Sequence, residues 1–276
     1  MTNSPIFLSA ILARSGTNYL TQLLCLHPRC RTANAPFYED LFLKDSHKLV
    51  DYAAGLRESY EDTGFPETHD LECRVLAGFG RALVDLLNGD GPPESRVVTK
   101  APLAFGLENF DRLFPGERLV LLIRDGRSVV QSVARSFNMT IREAATQWHE
   151  AARHFMSIQE TLPPDAIWIS YERLATDPVS TVMEMLPKLD LDPAAYPLHA
   201  VAALPVYGSS ELTANAGEID WSPKSRPSWF DPAARFRQMS ASDQAIFSEI
   251  AGETLAHINL LVGIHIPGGD NEGHAT

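Results

Sequence analysis

The sequence predicts an α/β fold in which helices cover both faces of a central parallel sheet. Apolar runs typical of strands alternate along the chain with amphipathic segments typical of helices, which is the pattern of such a sheet. The run Leu119–Ile123 (LVLLI) is apolar throughout, as expected of a strand buried on both faces. In folds of this class, ligands bind at the carboxyl ends of the strands. The residues that follow each strand are therefore the first place to look for a functional site.

The first part of the chain contains two predicted strands and three predicted helices. The apolar run Ile6–Ala13 is too short to cross a membrane, and we interpret it as a buried strand. Apolar residues at helical spacing predict helices over Asn18–Leu26 and Asp70–Asn88. Val97–Thr99 is a short strand, and the helix Leu103–Phe114 ends at the Pro-Gly pair that follows it.

The alternation continues in the second part of the chain. Thr140 and Glu143 fit a capping box, which predicts the start of an amphipathic helix. Ile167–Ser170 is a further strand. The pair Asp177-Pro178 fits the N-cap and the first position of the next helix.

Composition and charge narrow the class of protein. We expect residues 1–266 to form one domain and the polar, Gly-rich residues 267–276 to form a disordered tail. A formal charge of −12 argues against nucleic-acid binding, which requires a basic surface. The chain begins without a basic, signal-like segment, so we expect no membrane association and a cytoplasmic protein. A reducing compartment also fits the three cysteines, which form no CxxC pair: Cys25, Cys30 and Cys73.

A candidate phosphate site directly follows the first strand, at Arg14-Ser15-Gly16-Thr17-Asn18. A strand, a tight turn containing glycine and a helix N-terminus together form a cradle of N–H groups that suits an anion. An ordinary strand–helix turn capped by Ser15 or Thr17 is the alternative. The stricter motif G-x-x-x-x-G-K-[ST] is absent, and the missing lysine argues against an ATP-hydrolysing or kinase P-loop.

A second candidate anion site follows the buried strand that ends before Arg124. If a helix comes next, Ser128, Ser132 and Arg135 share one of its faces. Arg124 and a serine on that helix could hold a second phosphate. One alternative is that these are solvated loop charges. Another is that Asp125 binds a metal ion, and the missing P-loop lysine argues against this second alternative.

Four segments together resemble the PAPS-dependent sulfotransferase family, in particular its tyrosylprotein-type branch and bacterial small-molecule relatives. The segments are RSGTNYLTQLLCLHP, TKAP, LFPGERLVLLIRDGRSVVQS and ISYERL. The likeness covers residues 6–190 in the same order and implies a P-loop-like central parallel sheet. It implies PAPS as co-substrate and no metal for the transfer itself.

The resemblance also implies roles for individual residues. The first motif would grip the 5′-phosphosulfate, which assigns that role to Arg14, Ser15, Gly16, Thr17 and Asn18. Arg124 and Ser132 would hold the 3′-phosphate, and Tyr171 would contact the nucleotide. A core aromatic residue at a strand end is the alternative interpretation of Tyr171.

Sulfuryl transfer requires an activated hydroxyl, in-line placement and stabilisation of the charge on the leaving oxygen. Lys100 matches the family lysine beside a proline near the scissile bond. The family's acidic run after the first helix is replaced by Asn34–Asp40. Glu39 is the nearest acid and our candidate base, with Asp40 second.

The C-terminal third resembles the family's closing segment, which supplies a basic residue to the nucleotide. We assign that role to Arg226, with Lys224 as the alternative. Residues 37–80 and 205–230 are rich in aromatic side chains and are expected to form the acceptor pocket. The negative net charge of the chain and the absence of an N-terminal membrane anchor lead us to expect a small hydroxylated metabolite as acceptor.

Two other functions are compatible with these patterns. A P-loop kinase acting on a small alcohol would need Mg²⁺ and ATP, and a non-catalytic module would bind the nucleotide without turnover. A metal site is not expected. His149 and His154 resemble the zinc motif H-E-x-x-H, but their i, i+5 spacing places them on different helix faces.

Overall fold

A computed structural model describes residues 4–61, 70–209, 217–225, 231–232, 234–237 and 239–263. These residues form one sheet from strands β1 (Ile6–Ser9), β2 (Cys30–Thr32), β3 (Arg96–Ala101), β4 (Arg118–Ile123) and β5 (Ile167–Ser170). The strand order is β2-β3-β1-β4-β5, and all four neighbouring pairs are parallel. The predicted parallel sheet is confirmed.

Helices lie between the strands and follow the last one. They are α1 (Thr17–Leu24), α2 (Ser46–Glu61), α3 (Leu71–Asn88), α4 (Phe110–Leu113), α5 (Gly126–Phe137), α6 (Ile141–Ile158), α7 (Tyr171–Thr176), α8 (Pro178–Met185), α9 (Ala234–Arg237) and α10 (Ala241–Val262). The capping box at the start of α6 is present as predicted, with Thr140 and Glu143 each bonding the other's backbone N–H. In the described part of the chain, no helix is both long and apolar enough to cross a bilayer.

The strands alternate their side chains between two hydrophobic cores, one on each face of the sheet. In β4, Leu121 and Ile123 join a core built with α3, α5, α6 and α10. Val120 and Leu122 point to the other side, into a core built with α1 and α8. Because both faces are covered, β4 is apolar at every inner position, as a doubly buried strand must be. The predicted fold class, a P-loop-like α/β sheet with helices on both faces, is confirmed.

Several boundaries differ from the sequence prediction. The ladder of β1 ends at Ser9 rather than Ala13, and the Ser9 hydroxyl bonds the carbonyls of Ala101 and Leu103 at 2.9 and 3.0 Å. The predicted helix Leu103–Phe114 is shorter and consists of a 3₁₀ turn followed by α4. No prediction was made for β2, α2, α7, α9 or α10. The predicted tail lies outside the described residues, and a single domain over 1–266 stays a prediction.

Candidate active site

The carboxyl ends of all five strands border one cavity of about 320 Å³. Across the sheet, Glu39 follows β2, Lys100 lies in β3, Arg14 follows β1, Arg124 follows β4 and Tyr171 follows β5. The predicted site residues that line the cavity are Arg14, Gly16, Thr17, Asn18, Glu39, Lys100, Arg124, Ser132 and Tyr171. Residues far apart in sequence are therefore brought to one place, as expected at this edge of a parallel sheet.

The loop between β1 and α1 forms the first candidate anion clamp. Gly16 has a φ of +98° and immediately precedes the helix. A Cβ at this position would overlap the ring of Tyr171, so only glycine allows this approach. The first N–H groups of a helix have no partner inside the helix, and an anion can accept them. Ser15 is turned away from the cavity, because its buried hydroxyl donates to the Leu12 carbonyl at 2.7 Å.

The second candidate clamp consists of Arg124 and Ser132. The buried Arg124 guanidinium lies 4.3 Å from the centroid of the Tyr171 ring, and its Nη1 donates to the Arg14 carbonyl at 3.0 Å. Its Nε is buried and has no hydrogen-bond partner among the residues that the structure describes. Buried charged donors normally have a hydrogen-bond partner, so the N–H at this atom is a candidate donor to a bound anion. Arg14 Nε donates to Ser132 Oγ at 3.3 Å, which joins the two clamps.

Tyr171 connects the same two regions. It is buried at the first position of α7, packs in the core on one face of the sheet and lines the cavity. Its ring lies against Arg124 on one side and Gly16 on the other. The functional and the core interpretations of this residue are therefore compatible.

The carboxylate of Asp125 is bonded at the start of α5. Its carboxylate accepts the N–H groups of Arg127 and Ser128 as the N-cap of α5 and pairs with the Arg127 side chain at 2.8 Å. Its own N–H donates to Glu172, whose pKa is raised by burial. Within the described ranges, no group of three or more His, Cys, Asp or Glu side chains could hold a metal ion.

Lys100 and Glu39 form an ion pair at the cavity wall. Lys100 is buried near the end of β3, where the register places it beside Leu8 of β1. Its Nζ donates to Glu39 Oε1 at 2.5 Å. Glu39 belongs to the loop that follows β2, and its side chain is largely exposed. A cation and a carboxylate thus meet at one end of the cavity.

The carboxylate of Asp40, the second candidate base, is bonded away from the cavity. Oδ2 accepts the Thr99 hydroxyl at 2.8 Å, and Oδ1 accepts the Phe42 N–H at 3.3 Å. The side chain is buried and does not line the cavity. Burial raises the pKa of this carboxyl.

Two C-terminal segments, residues 205–209 and 217–224, border the cavity opposite the sheet, and we call them the roof. They pair through an antiparallel bridge between Val206 and Lys224. The Gly208 carbonyl accepts Arg14 Nη2, which connects the roof to the first clamp. Gly208 has a φ of +61°, and a Cβ there would lie 2.7 Å from the Trp221 ring.

The remaining sequence predictions concern two basic residues of the C-terminal third and two histidines. Lys224 pairs with Asp220 at 2.8 Å and does not line the cavity, and Arg226 lies outside the described residues. The two histidines of the zinc-like pattern have separate partners. His149 bonds the Thr254 hydroxyl at 2.8 Å, and His154 bonds a glutamate on another segment at 3.1 Å.

Three residues that line the cavity were not predicted: Tyr19, Gln22 and Phe137. Tyr207, Ile219 and Trp221 also line it, and they fall within residues 205–230, which the sequence predicts as part of the acceptor pocket. Gln22 could have been found, because it lies one helical turn after Asn18 on the same face of α1. The aromatic residues of 205–230 indicated the roof only as a stretch of sequence, since two separate segments must come together to place its side chains.

The model of the sulfotransferase family matches residues 5–195, and the chain belongs to this family. A Caenorhabditis briggsae protein named as a protein-tyrosine sulfotransferase is 24% identical over 251 residues, covering 87% of this chain and 85% of the relative. The protein-tyrosine sulfotransferase of Drosophila melanogaster is 25% identical over 198 residues, which are 68% of this chain but only 38% of that protein.

Two solved structures share the fold. The sulfotransferase domain from the curacin biosynthetic pathway has a TM-score of 0.51 at 18% identity, covering 97% of this chain and 100% of that domain. A sulfotransferase from Alicyclobacillus acidocaldarius has a TM-score of 0.52 at 14% identity, covering 95% of this chain and 97% of that one.

Family membership decides between the functions that the sequence left open. The chain is a transferase of the sulfotransferase family, which excludes the kinase and the non-catalytic module. The prediction of a small hydroxylated acceptor is wrong, because the curated relatives are named for transfer to protein tyrosine. A cytoplasmic location stays a prediction.

Proposed function

We propose that this protein transfers the sulfuryl group of PAPS to a tyrosyl hydroxyl of a protein or peptide. The observation that carries the proposal is the single cavity in which two anion clamps meet an ion pair of Lys100 and Glu39. The names of the curated relatives support the choice of tyrosine as acceptor.

The charges around the cavity suit a donor with two anionic ends. Among the described residues that line it, the charged side chains are Arg14, Lys100, Arg124 and Glu39, so cations outnumber carboxylates. This local excess contrasts with a formal charge of −12 for the whole chain. A volume of about 320 Å³ lies within the range of small-molecule sites.

Each clamp suits one end of PAPS. The loop of residues 14–18 combines a helix N-terminus with an arginine, which together favour the 5′-phosphosulfate. Arg124 and Ser132 offer a guanidinium and a hydroxyl to the 3′-phosphate. The unpaired Nε of Arg124 supports this assignment, because a phosphate oxygen would satisfy it.

The ion pair supplies the chemistry of the transfer step. Glu39 takes the proton of the tyrosyl hydroxyl with the carboxylate oxygen not bonded to Lys100. The phenolic oxygen attacks sulfur, the new O–S bond forms, and the bond from sulfur to the bridging phosphate oxygen breaks. Lys100 neutralises the negative charge that this oxygen carries away on PAP. The products are a tyrosine sulfate and PAP.

Thermal melting with nucleotides tests the donor. A ligand that binds only the folded state stabilises it by about 2.7 kcal/mol at one hundred times its Kd. We expect PAP and PAPS to raise the Tm without Mg²⁺, and ATP and AMP to have little effect. Stabilisation by ATP with Mg²⁺, and none by PAP, would contradict the assignment of the two clamps.

A matched set of peptides tests the acceptor. We expect PAPS-dependent sulfation, measured by mass spectrometry, of tyrosyl peptides from a randomised library. The same peptides with phenylalanine or serine at the tyrosine position are the controls and should remain unmodified. Sulfation of a simple phenol together with none of any tyrosyl peptide would overturn the proposed acceptor class.

A further inference from the structure

Two neighbouring carboxylates point in opposite directions at the edge of the cavity. Glu39 has a side chain that is 45% exposed and lines the cavity beside Lys100. Asp40 is only 7% exposed and lies beneath the cavity wall. Adjacent residues of one loop therefore have different environments: Glu39 lines the cavity, and Asp40 lies in the protein interior.

Asp40 is attached to the end of β3 by both its side chain and its backbone. The side chain accepts the buried Thr99 hydroxyl at 2.8 Å, and the backbone N–H donates to the Lys100 carbonyl at 3.2 Å. These two contacts connect the loop after β2 to the two strand residues nearest the ion pair. β3 is an inner strand, paired with β2 as far as Val98 and with β1 through Thr99 and Lys100, so it is a rigid support.

The backbone beyond Asp40 is also confined. The Phe42 N–H returns to Asp40 Oδ1 at 3.3 Å, and Leu41 has a φ of +48°. The Leu43 carbonyl lies so close to Gly106 that a Cβ there would overlap it. A leucine in the left-handed region is strained, and such strain persists only where neighbouring contacts impose it.

The geometry points to Asp40 as a positioning residue that, through Thr99, holds Glu39 against Lys100. Lys100 is fixed by its strand, whereas Glu39 lies in a loop outside the sheet and takes its place from the residue that follows it. A displacement of about 1 Å at a reacting group can lower the rate about 100-fold. This inference rests on the proposed function, because it concerns the proposed base.

The substitution Thr99→Val tests it, since valine keeps the shape of threonine and removes the hydroxyl that donates to Asp40. We expect kcat for sulfation of a tyrosyl peptide to fall about tenfold or more, while the KM for PAPS and the Tm shift with PAP are unchanged. Thr99→Ser restores the hydroxyl and should recover most of the rate. The matched control is Thr254→Val, which removes a buried hydroxyl–side-chain bond far from the cavity and should leave kcat unchanged.

A double-mutant cycle separates positioning from a general loss of stability. If Asp40 acts through Glu39, Thr99→Val has no further effect on the residual rate of Glu39→Gln. An equal fold-loss in both backgrounds would overturn the inference and assign these contacts to the fold alone. A reduced rate for Glu39→Gln with a full rate for Thr99→Val would overturn the positioning role and leave the proposed function standing. A full rate for Glu39→Gln alone would remove the base from the proposed function, and this inference with it.

Discussion

The two sides of the cavity are built in different ways. The floor, which we define as Lys100, Arg124 and the loop 14–18, lies on the strand ends, and Lys100 and Arg124 are 9% and 8% exposed. In the roof, Tyr207 and Trp221 are 38% and 56% exposed. The floor is supported by a continuous parallel ladder, whereas the described roof contains one isolated bridge.

This difference indicates two roles: the floor supplies charged groups, and the roof encloses the cavity. Charged groups that must be placed before the reaction lie on rigid strands, where their positions require no reorganisation. Aromatic side chains that cover a ligand lie on irregular segments, which is where binding surfaces commonly occur. Disrupting the floor should therefore abolish binding or turnover, and disrupting the roof should only weaken them.

Arg124→Ala should have the largest effect. It removes a buried guanidinium, and loss of one partner of a buried charge pair costs about 2–5 kcal/mol. We expect the Tm shift with PAP to disappear. Arg127→Ala is the control, because that neighbour pairs with Asp125, does not line the cavity and should retain the shift. A full PAP response in Arg124→Ala would show that the floor does not hold the nucleotide.

Lys100→Met should separate binding from chemistry. Methionine retains the buried apolar stem and removes the charge. We expect kcat to fall about 10²–10³-fold, the magnitude typical of losing one stabilising group in the transition state. The PAP-induced Tm shift should remain. The control, Lys44→Met, changes an exposed lysine that does not line the cavity. A full rate in Lys100→Met would refute its role at the leaving oxygen.

The loop 14–18 and Arg124 of the floor could be predicted because their signals are local, whereas Lys100 was assigned by its match to the family lysine. A glycine turn between a strand and a helix, and an arginine directly after an apolar run, can each be recognised in one short segment. Glu39 was found only as the nearest acid in its segment. Its pairing with Lys100 depends on the loop contact between Asp40 and Thr99, which are 59 positions apart.

The roof could not be predicted to the same degree, because no short pattern specifies it. Its contact with the floor joins Arg14 to Gly208 across 194 positions. Its two segments meet at the Val206–Lys224 bridge and at a bond from the Gly208 N–H to the Asp220 carbonyl. The acceptor was wrongly predicted for a related reason. The prediction rested on net charge and on the N-terminal segment, which are properties of the whole chain. Acceptor choice depends instead on the local shape of the functional site.

Gly208→Ala should have a moderate effect that is specific to the roof. The new Cβ would meet the Trp221 ring at 2.7 Å, and the shift this forces would loosen the carbonyl bonded to Arg14. We expect kcat/KM for PAPS to fall about tenfold, which corresponds to about 1.4 kcal/mol.

A second glycine provides the control for backbone strain at Gly208. Gly116 has a φ of +78°, and a Cβ there would meet nothing within 4 Å. Gly116→Ala therefore carries a similar conformational penalty, about 1 kcal/mol of stability, without touching the roof. We expect its kcat/KM to be unchanged. Equal kinetic losses in both alanine variants would mean that the roof contact has no role of its own.

Asp40→Asn should have the smallest effect. It measures the free energy of unfolding that is lost when the buried Asp40 carboxyl ionises. Burial raises the pKa of Asp40 in the folded state above its ordinary value of 3.8. The folded state therefore binds more protons than the unfolded state in the window above that value, and the Asp40 contribution to stability falls as pH rises through it. Asparagine stays neutral, and its amide can still bond the Thr99 hydroxyl.

The expected result is a pH-dependent difference in Tm between Asp40→Asn and the parent protein. From pH 4 to pH 7 the variant should gain stability relative to the parent protein. Asp45→Asn is the control of opposite sign and is measured below pH 4. The bond to Lys48 lowers the pKa of exposed Asp45 below 3.8, so its contribution is retained from pH 4 to pH 7 and is lost only as pH falls further. If the Asp40→Asn difference stayed constant across this range, Asp40 would carry no ionisation penalty, and its burial beneath the floor would be electrostatically neutral.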